Sequence, residues 1–392
     1  MRSQRKHFSV NWMDGMKINK DHFIAQDNAI QETIFDIATL GLSPMRYGVI
    51  PSSAAGEDAY NVKLALDNQN TLRATINSLQ AITPGGVRIN FPALPYAQPD
   101  TALTTSFQFT ASGAESVYWV VVTVQPFDRQ PAGNPDSMEN PPRFPYVQYK
   151  YAVQVVSESQ FAQYALHPFA LIIGKVTVNG NNISVEDEYI PPCIATSASP
   201  DLIALHSELD QFLAGLELRC SQIVQKILKK SQQNELSELA MFLCDRIMLF
   251  IGQAITDLRW NQIHEPPAKM FATIISLARV MKNTIDLRIG SGKEELMNYL
   301  SEWCELNQGE LENMLSGLAS MRYNHNDINS NIMPVIRFAK VTGKLFESLS
   351  NLEFIGKRKE SGIFVKEETN YNQPAANGNN VEQPKPKRRF FG

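Results

Sequence analysis

The residues with the most suggestive spacing for phosphate chemistry are Gly290-Ser291-Gly292-Lys293, which look like the end of a nucleotide-binding loop. Such a loop needs a glycine five positions before its last glycine, and a Ser or Thr after its lysine to bind Mg²⁺. Leu287 and Glu294 occupy those two positions, and no strand is expected before them. The segment is therefore predicted to be a turn between two helices.

Histidine, the side chain that most often serves as a metal ligand or a general base, is spread singly through the chain. His264 and Glu265 are followed by two prolines, whereas the helical zinc motif needs two histidines one turn apart. There is no G-x-S-x-G segment and no glycine-rich nucleotide fingerprint. We therefore predict a protein that is not an enzyme, with no catalytic residues, no cofactor and no metal site. The six histidines are His7, His22, His167, His206, His264 and His325.

The cysteines and the charge also predict a protein without special chemistry. No C-x-x-C spacing occurs and the cysteines lie among apolar residues, so buried reduced thiols are expected. The net charge is −4, and basic residues are dispersed except near the C-terminus, which disfavours nucleic-acid binding. The four cysteines are Cys193, Cys220, Cys244 and Cys304.

Hydropathy predicts a cytoplasmic protein that does not insert into a membrane. The charged N-terminus has no apolar segment behind it, so it is not a signal peptide. The most apolar helical stretch, Leu239 to Ile255, is interrupted by Asp245 and Arg246 and is too short for a membrane span.

The hydrophobic pattern changes at one short segment, Asp187–Cys193, which we call the seam. Before the seam apolar residues mostly alternate, as in half-buried strands, and after it they recur every three or four residues, as in helices. Pro191 and Pro192 add a stiff break, because both fix φ and lack a backbone N–H. We predict an α+β protein in three parts: a β domain over residues 1–195, a helical domain over 196–355 and a tail over 356–392.

The β domain is predicted to be an antiparallel sandwich, because many short strands follow one another with few helices between them. A proline-rich stretch, residues 126–145, predicts a long loop. An N-terminal helix is expected near residues 20–40, with Asn19 as its cap. Strands are expected near residues 47–50, 62–66, 72–76, 87–91, 117–124, 147–155, 176–178 and 183–185. One face of the helix carries Phe23, Ile30, Ile34 and Ile37.

The helical domain is predicted to be a bundle of five helices with short connections. The fourth helix is expected to carry Leu296 through Met321, and the fifth to follow an Asn-rich turn and run from about Ile332 to Leu352. The first helix has a coiled-coil-like stripe with alternating steps of three and four residues: Leu202, Leu205, Leu209, Phe212 and Leu216.

The tail is poor in apolar residues. Residues 370–386 are rich in Asn, Gln and Pro and are predicted to be disordered. The chain closes on basic residues beside two aromatic ones, Arg388, Arg389, Phe390 and Phe391. Arg and aromatic side chains are frequent interface anchors, so this end is either a docking peptide or a solvated tail without a partner.

Three short motifs lie in order along the first 200 residues. The first motif consists of Trp12, Gly15, Met16, His22, Phe23, Gln26 and Asp27. The second motif is the turn Pro84-Gly85-Gly86. The third motif is the seam, Tyr189-Ile190-Pro191-Pro192-Cys193, followed by Ala198-Ser199-Pro200.

In type and order, these motifs resemble those of the TssK subunits of type VI secretion baseplates. The resemblance implies an N-terminal β-sandwich "shell", similar to the shoulder of phage receptor-binding proteins, followed by a helical "neck". It makes the seam the junction between shell and neck. It also implies a homotrimer, for which the stripe from Leu202 to Leu216 offers an interface, although a core stripe within one chain has the same pattern.

The resemblance further implies a role as an adaptor. The shell of TssK binds the TssF–TssG wedge of the baseplate, and the opposite end meets the membrane complex at the inner face of the cell envelope. TssK subunits usually carry a further head domain after the neck, and residues 356–392 are too few and too polar to form one. The envelope component that this chain would contact is therefore unidentified, and the tail is a candidate for that contact.

Two alternatives remain open. The same fold would suit a receptor-binding or fibre-adaptor protein of a phage or a phage-like contractile particle.

Within the first motif, Trp12, Met16 and Phe23 are expected to pack the N-terminal helix onto the sandwich. The polar residues of that motif either face a partner or tie down the N-terminal arm, and they are His22, Gln26 and Asp27.

Overall fold

The computed structural model describes residues 5–52, 58–92, 102–109, 112–180 and 182–356. The chain forms two compact units. The first comprises Met1–Ile203, Asn261–Phe271 and Arg322–Met333, and the second comprises Ala204–Trp260, Ala272–Met321 and Pro334–Gly392. Two segments of the first unit thus come from the range 196–355, which the sequence assigned as a whole to the helical domain.

The first unit contains a five-stranded antiparallel sheet. Its long strand, β3, pairs with each of the four remaining strands. Its strands are β1 (Gly48–Val49), β2 (Tyr60–Leu66), β3 (Thr71–Ile82), β4 (Arg88–Phe91) and β5 (Leu103–Gln108). Residues of one face of β3 are buried in alternation, among them Leu72, Ala74 and Ile76. This period of two matches the alternation in the sequence.

A second, four-stranded antiparallel sheet has the order β7-β6-β8-β9. Its strands are β6 (Ser112–Ala132), β7 (Tyr146–Ser157), β8 (Ala170–Gly180) and β9 (Asn182–Val185). Val120, Val121 and Val122 are all fully buried, so the strand is covered on both faces as its continuous apolar run predicted. The predicted hairpin near residues 176–185 is confirmed as β8 and β9.

The predicted proline-rich loop is wrong in its first part, because β6 continues through Ala132 and pairs there with β7. Pro126 lies in an irregularity between Gln125 and Arg129, and beyond Thr123 the strand no longer pairs with β8. Because that edge of β6 makes no ladder bonds, proline is tolerated there.

A short helix that the sequence analysis did not predict, α2 (Glu158–Tyr164), follows β7. It begins with a capping box between Ser157 and Gln160. Phe161 of this helix packs against Trp119 of β6, with ring centroids 4.5 Å apart. The helix therefore covers part of the outer face of the second sheet.

Aromatic side chains join the two sheets of the first unit. The hydroxyl of Tyr60 on β2 donates to the carbonyl of Ile173 on β8 at 2.7 Å. The rings of Phe107 and Phe109, at the end of β5, lie 5.7 and 5.0 Å from the ring of Tyr118 on β6. Both sheets are therefore antiparallel, as predicted, and side chains of the two sheets contact each other.

The second unit is built from helices. The α-helices after the seam are α3 (Pro200–Lys229), α4 (Glu235–Asp257), α5 (Pro267–Asp286), α6 (Lys293–Glu302), α7 (Gln308–Ser320) and α8 (Ile328–Asn351). The predicted fourth helix is two helices, because Asn307 caps a new one by accepting a bond from the N–H of Glu310 at 2.9 Å. Helix α1 (Lys20–Ala38) precedes the first sheet, and Asn19 caps it as predicted.

One helical stretch among the described residues, Glu235–Gln262, is long and apolar enough to cross a membrane by length and composition alone. The sequence predicts that a shorter part of it, Leu239 to Ile255, is insufficient for a span. Leu239, Leu243, Ile247 and Ile251 of this helix are buried inside the protein. A core helix passes the same test of length and composition.

Candidate partner-binding site

The N-terminal arm, which we define as residues 5–19, is fixed along helix α1 by side chains of the helix. The carboxylate of Glu32 accepts bonds from the N–H groups of Lys6, at 3.0 Å, and His7, at 2.7 Å. One turn and a half earlier, the Oε1 of Gln26 accepts a bond from the N–H of Val10 at 3.1 Å. Desolvation raises the pKa of Glu32, but the bonds from Lys6 and His7 outweigh it and lower that pKa.

His22 helps to begin helix α1. The Oδ1 of Asn19 accepts bonds from the N–H groups of Asp21 and His22, at 3.1 and 3.2 Å. The Nδ1 of His22 accepts a bond from the N–H of Asn19 at 3.2 Å, which completes a reciprocal capping box. His22 is thus a capping residue, one of the roles that its position at the helix start indicates.

Polar side chains attach helix α1 to the second sheet. Arg129 on β6 contacts Asp27 at 3.4 Å and donates to Asn28 at 2.9 Å. The hydroxyl of Tyr149 on β7 donates to Gln31 at 3.0 Å. The alternative in which the polar motif residues hold the N-terminal region in place therefore matches the contacts of Gln26 and Asp27.

The turn Pro84-Gly85-Gly86 lies against the C-terminal end of helix α1. Gly86 has a φ of +80°, and a Cβ there would lie 2.9 Å from the Cβ of Ala38. A Cβ on Gly85 would lie 2.5 Å from the carbonyl oxygen of Pro168. The turn lies so close to α1 and to Pro168 that neither glycine can be replaced without a shift of its neighbours. This close approach explains why the second motif contains two glycines.

The aromatic residues of the first motif are exposed in the single chain. Trp12 is 46% exposed and Phe23 is 60% exposed, so the expected packing of these two residues onto the sandwich is not found. Met16 is half-buried, and its N–H closes the turn at Gly15 by donating to the carbonyl of Met13 at 3.2 Å. Trp12 and Phe23 contact each other, with centroids 6.3 Å apart.

These two rings belong to a larger exposed apolar surface on the arm and the outer face of α1, which we call the arm surface. Further exposed apolar residues on it are Phe8, Met13, Ile18, Ile24, Ile30, Ile34 and Ile37, and Leu40 directly after α1 is exposed as well. Single exposed apolar residues are ordinary, but this number of them on one arm and one helix is typical of a site of protein contact. The arm surface is therefore the strongest candidate for partner binding.

The seam is bound to strand β1 by backbone hydrogen bonds. The N–H of Val49 donates to the carbonyl of Pro192 at 2.7 Å, and the N–H of Ile194 donates to the carbonyl of Val49 at 3.0 Å. Gly48 has a φ of +111°, and a Cβ there would lie 1.9 Å from the oxygen of Pro192. Gly48, to which no sequence motif points, is the residue that lets the two segments approach.

The Asn-rich segment, predicted as a simple turn, holds the seam from another side. The hydroxyl of Tyr189 donates to the carbonyl of Asn326 at 2.6 Å. The side chain of Asn329 accepts from the N–H of Ile190 at 3.0 Å and donates to the carbonyl of Glu188 at 2.8 Å. The seam is therefore an integral part of the first unit and contacts residues about 140 positions away in sequence.

A buried polar network continues from this segment. The Nε2 of His325 bonds the carbonyl of Tyr47 at 2.9 Å, and its Nδ1 bonds the hydroxyl of Tyr323 at 2.9 Å. The hydroxyl of Tyr47 donates to Asn326 at 2.8 Å. Burial lowers the pKa of His325 to about 4, so this ring is neutral at physiological pH.

The thiols show no sign of reactivity. Cys193 is completely buried in the seam, and burial raises the pKa of its thiol. Cys220 and Cys244 are also buried, whereas Cys304 is only half-buried. A buried protonated thiol is a poor nucleophile, so Cys193 is confirmed as a small packing residue.

The segment that resembles a phosphate loop is a helix–helix turn, as predicted. Gly290 and Gly292 both have positive φ. The Nζ of Lys293 donates to Asp286 at 2.8 Å and to Glu312 at 2.8 Å, which ties α5, α6 and α7 together. The described residues contain no group of three or more potential metal ligands.

Two further sets of predicted site residues have different outcomes. The stripe on α3 is buried in the single chain, so it matches the alternative of a core stripe, and it presents no surface to a second subunit in this conformation. Its residues are Leu202, Leu205, Leu209, Phe212 and Leu216. The proposed docking residues of the tail, Arg388, Arg389, Phe390 and Phe391, lie outside the described residues.

Comparison with known proteins yields structural matches. No protein-family model and no curated protein matches the sequence. A crystal structure of TssK matches with a TM-score of 0.42 and 14% identity, covering 87% of this chain and 68% of that chain. The baseplate complex from the type VI secretion system matches with a TM-score of 0.46 and 14% identity, covering 87% and 100%.

A third match is a TssK-TssF-TssG baseplate subcomplex solved by cryo-electron microscopy, with a TM-score of 0.43 and 14% identity, covering 88% of this chain and 99% of that chain. The matched proteins are those that the sequence motifs resemble. At this identity and at TM-scores below 0.5, the overlap by itself assigns no function.

Proposed function

We propose that this chain is a non-enzymatic structural subunit of a type VI secretion baseplate, of the TssK type. The observation that carries the proposal is the first motif. Its polar residues His22, Gln26 and Asp27 hold the arm and helix α1 in place, while its aromatic residues Trp12 and Phe23 are exposed. A motif that served only to stabilise the fold would bury its aromatic side chains.

The partner proposed for the arm surface is the baseplate wedge. One matched structure contains TssK together with TssF and TssG, and wedge proteins of the TssF and TssG type are the partners that we propose for this chain. Exposed aromatic side chains on a fixed support are suited to this role, because aromatic residues are frequent binding anchors and the support limits the entropy lost on binding.

The proposal extends to architecture and location. We propose that the two antiparallel sheets form a shell-type sandwich similar to the shoulder of phage receptor-binding proteins. The second unit then corresponds to the neck. Three copies associate. The trimer is cytoplasmic, without insertion into the membrane, and is recruited to the inner face of the cell envelope, where it links the wedge to a component of the membrane complex that is still to be identified.

A pull-down with the TssF-type and TssG-type proteins encoded in the same genome tests the wedge contact. The double substitution Trp12→Ser with Phe23→Ser removes two exposed rings, so we expect an unchanged melting temperature and at least a tenfold loss of wedge capture. Leu287→Ser is the matched control, because Leu287 is also exposed but belongs to the second unit.

The outcomes separate the site from the function. If the wild-type chain captures no wedge protein, the proposed function is contradicted. If the wild-type chain and the Trp12/Phe23 variant capture the wedge equally, the function stands and the arm surface is not the binding site. A second double variant, Gln26→Ala with Asp27→Ala, removes one contact that holds the arm and one that holds helix α1. It is expected to weaken capture through loss of order rather than loss of contact.

A further inference from the structure

A cleft in the first unit lies beside the C-terminal end of helix α1 and has a volume of about 400 Å³. Four segments form its walls: α1, the residues between α1 and β1, the Pro84-Gly85 turn, and the residues between α2 and β8. Phe127 of β6 completes it. The cleft is distinct from Trp12 and Phe23, neither of which lines it.

The floor of the cleft is aromatic. The rings of Phe35 and Phe127 have centroids 6.2 Å apart, and Phe127 and Phe169 also have centroids 6.2 Å apart. Both pairs are close to perpendicular, at 68° and 77°. The ring of His7 also packs on Phe127, with centroids 4.1 Å apart, so Phe35 and Phe169 are the rings that we assign to a ligand. Ring faces bind apolar groups and, through their quadrupole, cations.

The residues that line the cleft carry only negative charge, although Arg5 and His7 of the arm lie close enough to Glu32 to lower its pKa. The lining includes the carboxylates Glu32 and Asp36, one turn apart on α1, and no Lys, Arg or His. The bonds from the arm lower the pKa of Glu32, which keeps that carboxylate ionised. Among the described residues, Asp36 forms no ion pair, so its charge is available to a cationic ligand.

The sequence of the same chain contains a segment with the complementary chemistry. Residues 384–392 carry four cationic side chains, two aromatic side chains and two prolines, and no acidic side chain. Prolines favour an extended polyproline conformation, and aromatic-lined grooves bind such segments at low entropic cost. The stretch from 357 to 383 that connects this segment to the described residues spans up to roughly 90 Å at ~3.3 Å per residue.

We propose that the aromatic cleft binds the C-terminal segment of this protein. In this complex Arg388 and Arg389 pair with Glu32 and Asp36, while Phe390 and Phe391 contact the rings of the floor. The inference goes beyond the baseplate role, because it assigns a binding site to the C-terminal segment. The sequence motifs suggest no binding site for this segment. It does not depend on wedge binding.

Fluorescence anisotropy tests the proposal directly. The receptor is the full-length chain carrying Arg388→Glu and Arg389→Glu, so that its own tail does not compete, and the probe is a fluorescein-labelled peptide of residues 384–392. We expect saturable binding that weakens severalfold between 50 and 300 mM salt, because the contact between the arginines and the carboxylates is screened.

Two receptor substitutions locate the binding site. Asp36→Lys reverses one charge of the cleft and is expected to weaken peptide binding at least tenfold. Asp187→Lys is the matched control, since Asp187 is an exposed carboxylate of the same unit outside the cleft, and it is expected to leave affinity within twofold. Phe169→Ala, which removes part of the floor, is expected to weaken binding without changing its salt dependence.

Hydrogen exchange on the wild-type chain provides the second measurement. Compared with wild type, the Arg388→Glu and Arg389→Glu chain should exchange faster at the amides of Leu166, His167 and Phe169. The proposal is overturned if the peptide causes no anisotropy change at 1 mM, or if Asp36→Lys and Asp187→Lys bind it equally. Because no wedge protein is present in either experiment, these outcomes leave the proposed baseplate role untouched.

Discussion

At the scale of single residues, Gly48 determines how closely strand β1 and the seam approach each other. Its positive φ and the 1.9 Å separation that a Cβ would have from the Pro192 oxygen leave no room for a side chain. Gly48→Ala is therefore expected to destabilise the protein by at least about 3 kcal/mol, or to prevent folding. Urea unfolding followed by circular dichroism measures the change.

The control for this substitution is another glycine-to-alanine change. Gly252 lies on the exposed side of helix α4, and a Cβ there meets nothing within 4 Å. Because alanine is the better helix former, Gly252→Ala is expected to stabilise the protein by about 0.5–1 kcal/mol. Equal effects of the two substitutions would contradict the role given to Gly48.

His325 predicts a pH dependence. Its ordinary pKa of 6.5 falls to about 4 in the fold, because burial penalises the charged ring. Between pH 6.5 and 4 the unfolded state therefore binds a proton that the folded state does not. The free energy of unfolding consequently decreases as the pH is lowered through this window. From pH 7 to pH 5 the loss amounts to about 2 kcal/mol.

The measurement compares wild type with His325→Gln, whose side chain does not titrate in this range. Wild type should lose about 2 kcal/mol more than the variant over the same pH interval. A direct NMR titration of the ring in the wild-type protein is the second readout, and it applies even when the variant does not fold. A midpoint near 6.5 would exclude the buried neutral state.

At the scale of elements, the arm depends on Glu32 for its position. Three close approaches, between 2.7 and 3.2 Å, join this carboxylate to the amides of Lys6 and His7. Glu32→Ala is expected to release the arm, so that amide exchange at residues 6–10 rises at least tenfold while the sheets are unaffected. Asp36→Asn, one turn later on α1, is the control and should not change exchange in the arm.

Helices, strands and turns could be predicted from the sequence where neighbouring residues alone determine them. Asn19 precedes a helix with the correct spacing for a cap, and alternating residues define the long strands. The turn Pro84-Gly85-Gly86 was equally visible, because glycine pairs after proline mark turns whatever they pack against. The same locality explains the error at residues 126–132, where proline content predicted a loop and an unpaired strand edge permitted a strand.

The site was less predictable, because its decisive contacts join distant residues. Nothing near Asn326 in sequence shows that it meets Tyr47 and Tyr189, which lie 279 and 137 positions away. The exposure of Phe23 was unpredictable for a different reason: an apolar face on a helix indicates burial, but it does not say whether the same chain or another protein provides the cover.

At the scale of the whole molecule, the proposed trimer requires a surface that joins three copies. Two residues of helix α3 provide a matched pair: Leu216 belongs to the buried stripe, and Leu218, two positions later, is 59% exposed. Because Leu216 is a core residue of the chain, Leu216→Ala is expected to cost about 2–5 kcal/mol in unfolding free energy. The folded fraction should retain the oligomeric mass of wild type.

Light scattering after size-exclusion chromatography tests these expectations together. For wild type we expect three times the chain mass of 44.0 kDa. Leu218→Asp should leave unfolding unchanged, and a drop to monomer mass would assign the outer face of α3 to the subunit interface. The opposite result is equally informative. If Leu216→Ala unfolds like wild type but elutes as a monomer, the stripe is covered by neighbouring subunits rather than by its own chain, and the core assignment of that stripe fails.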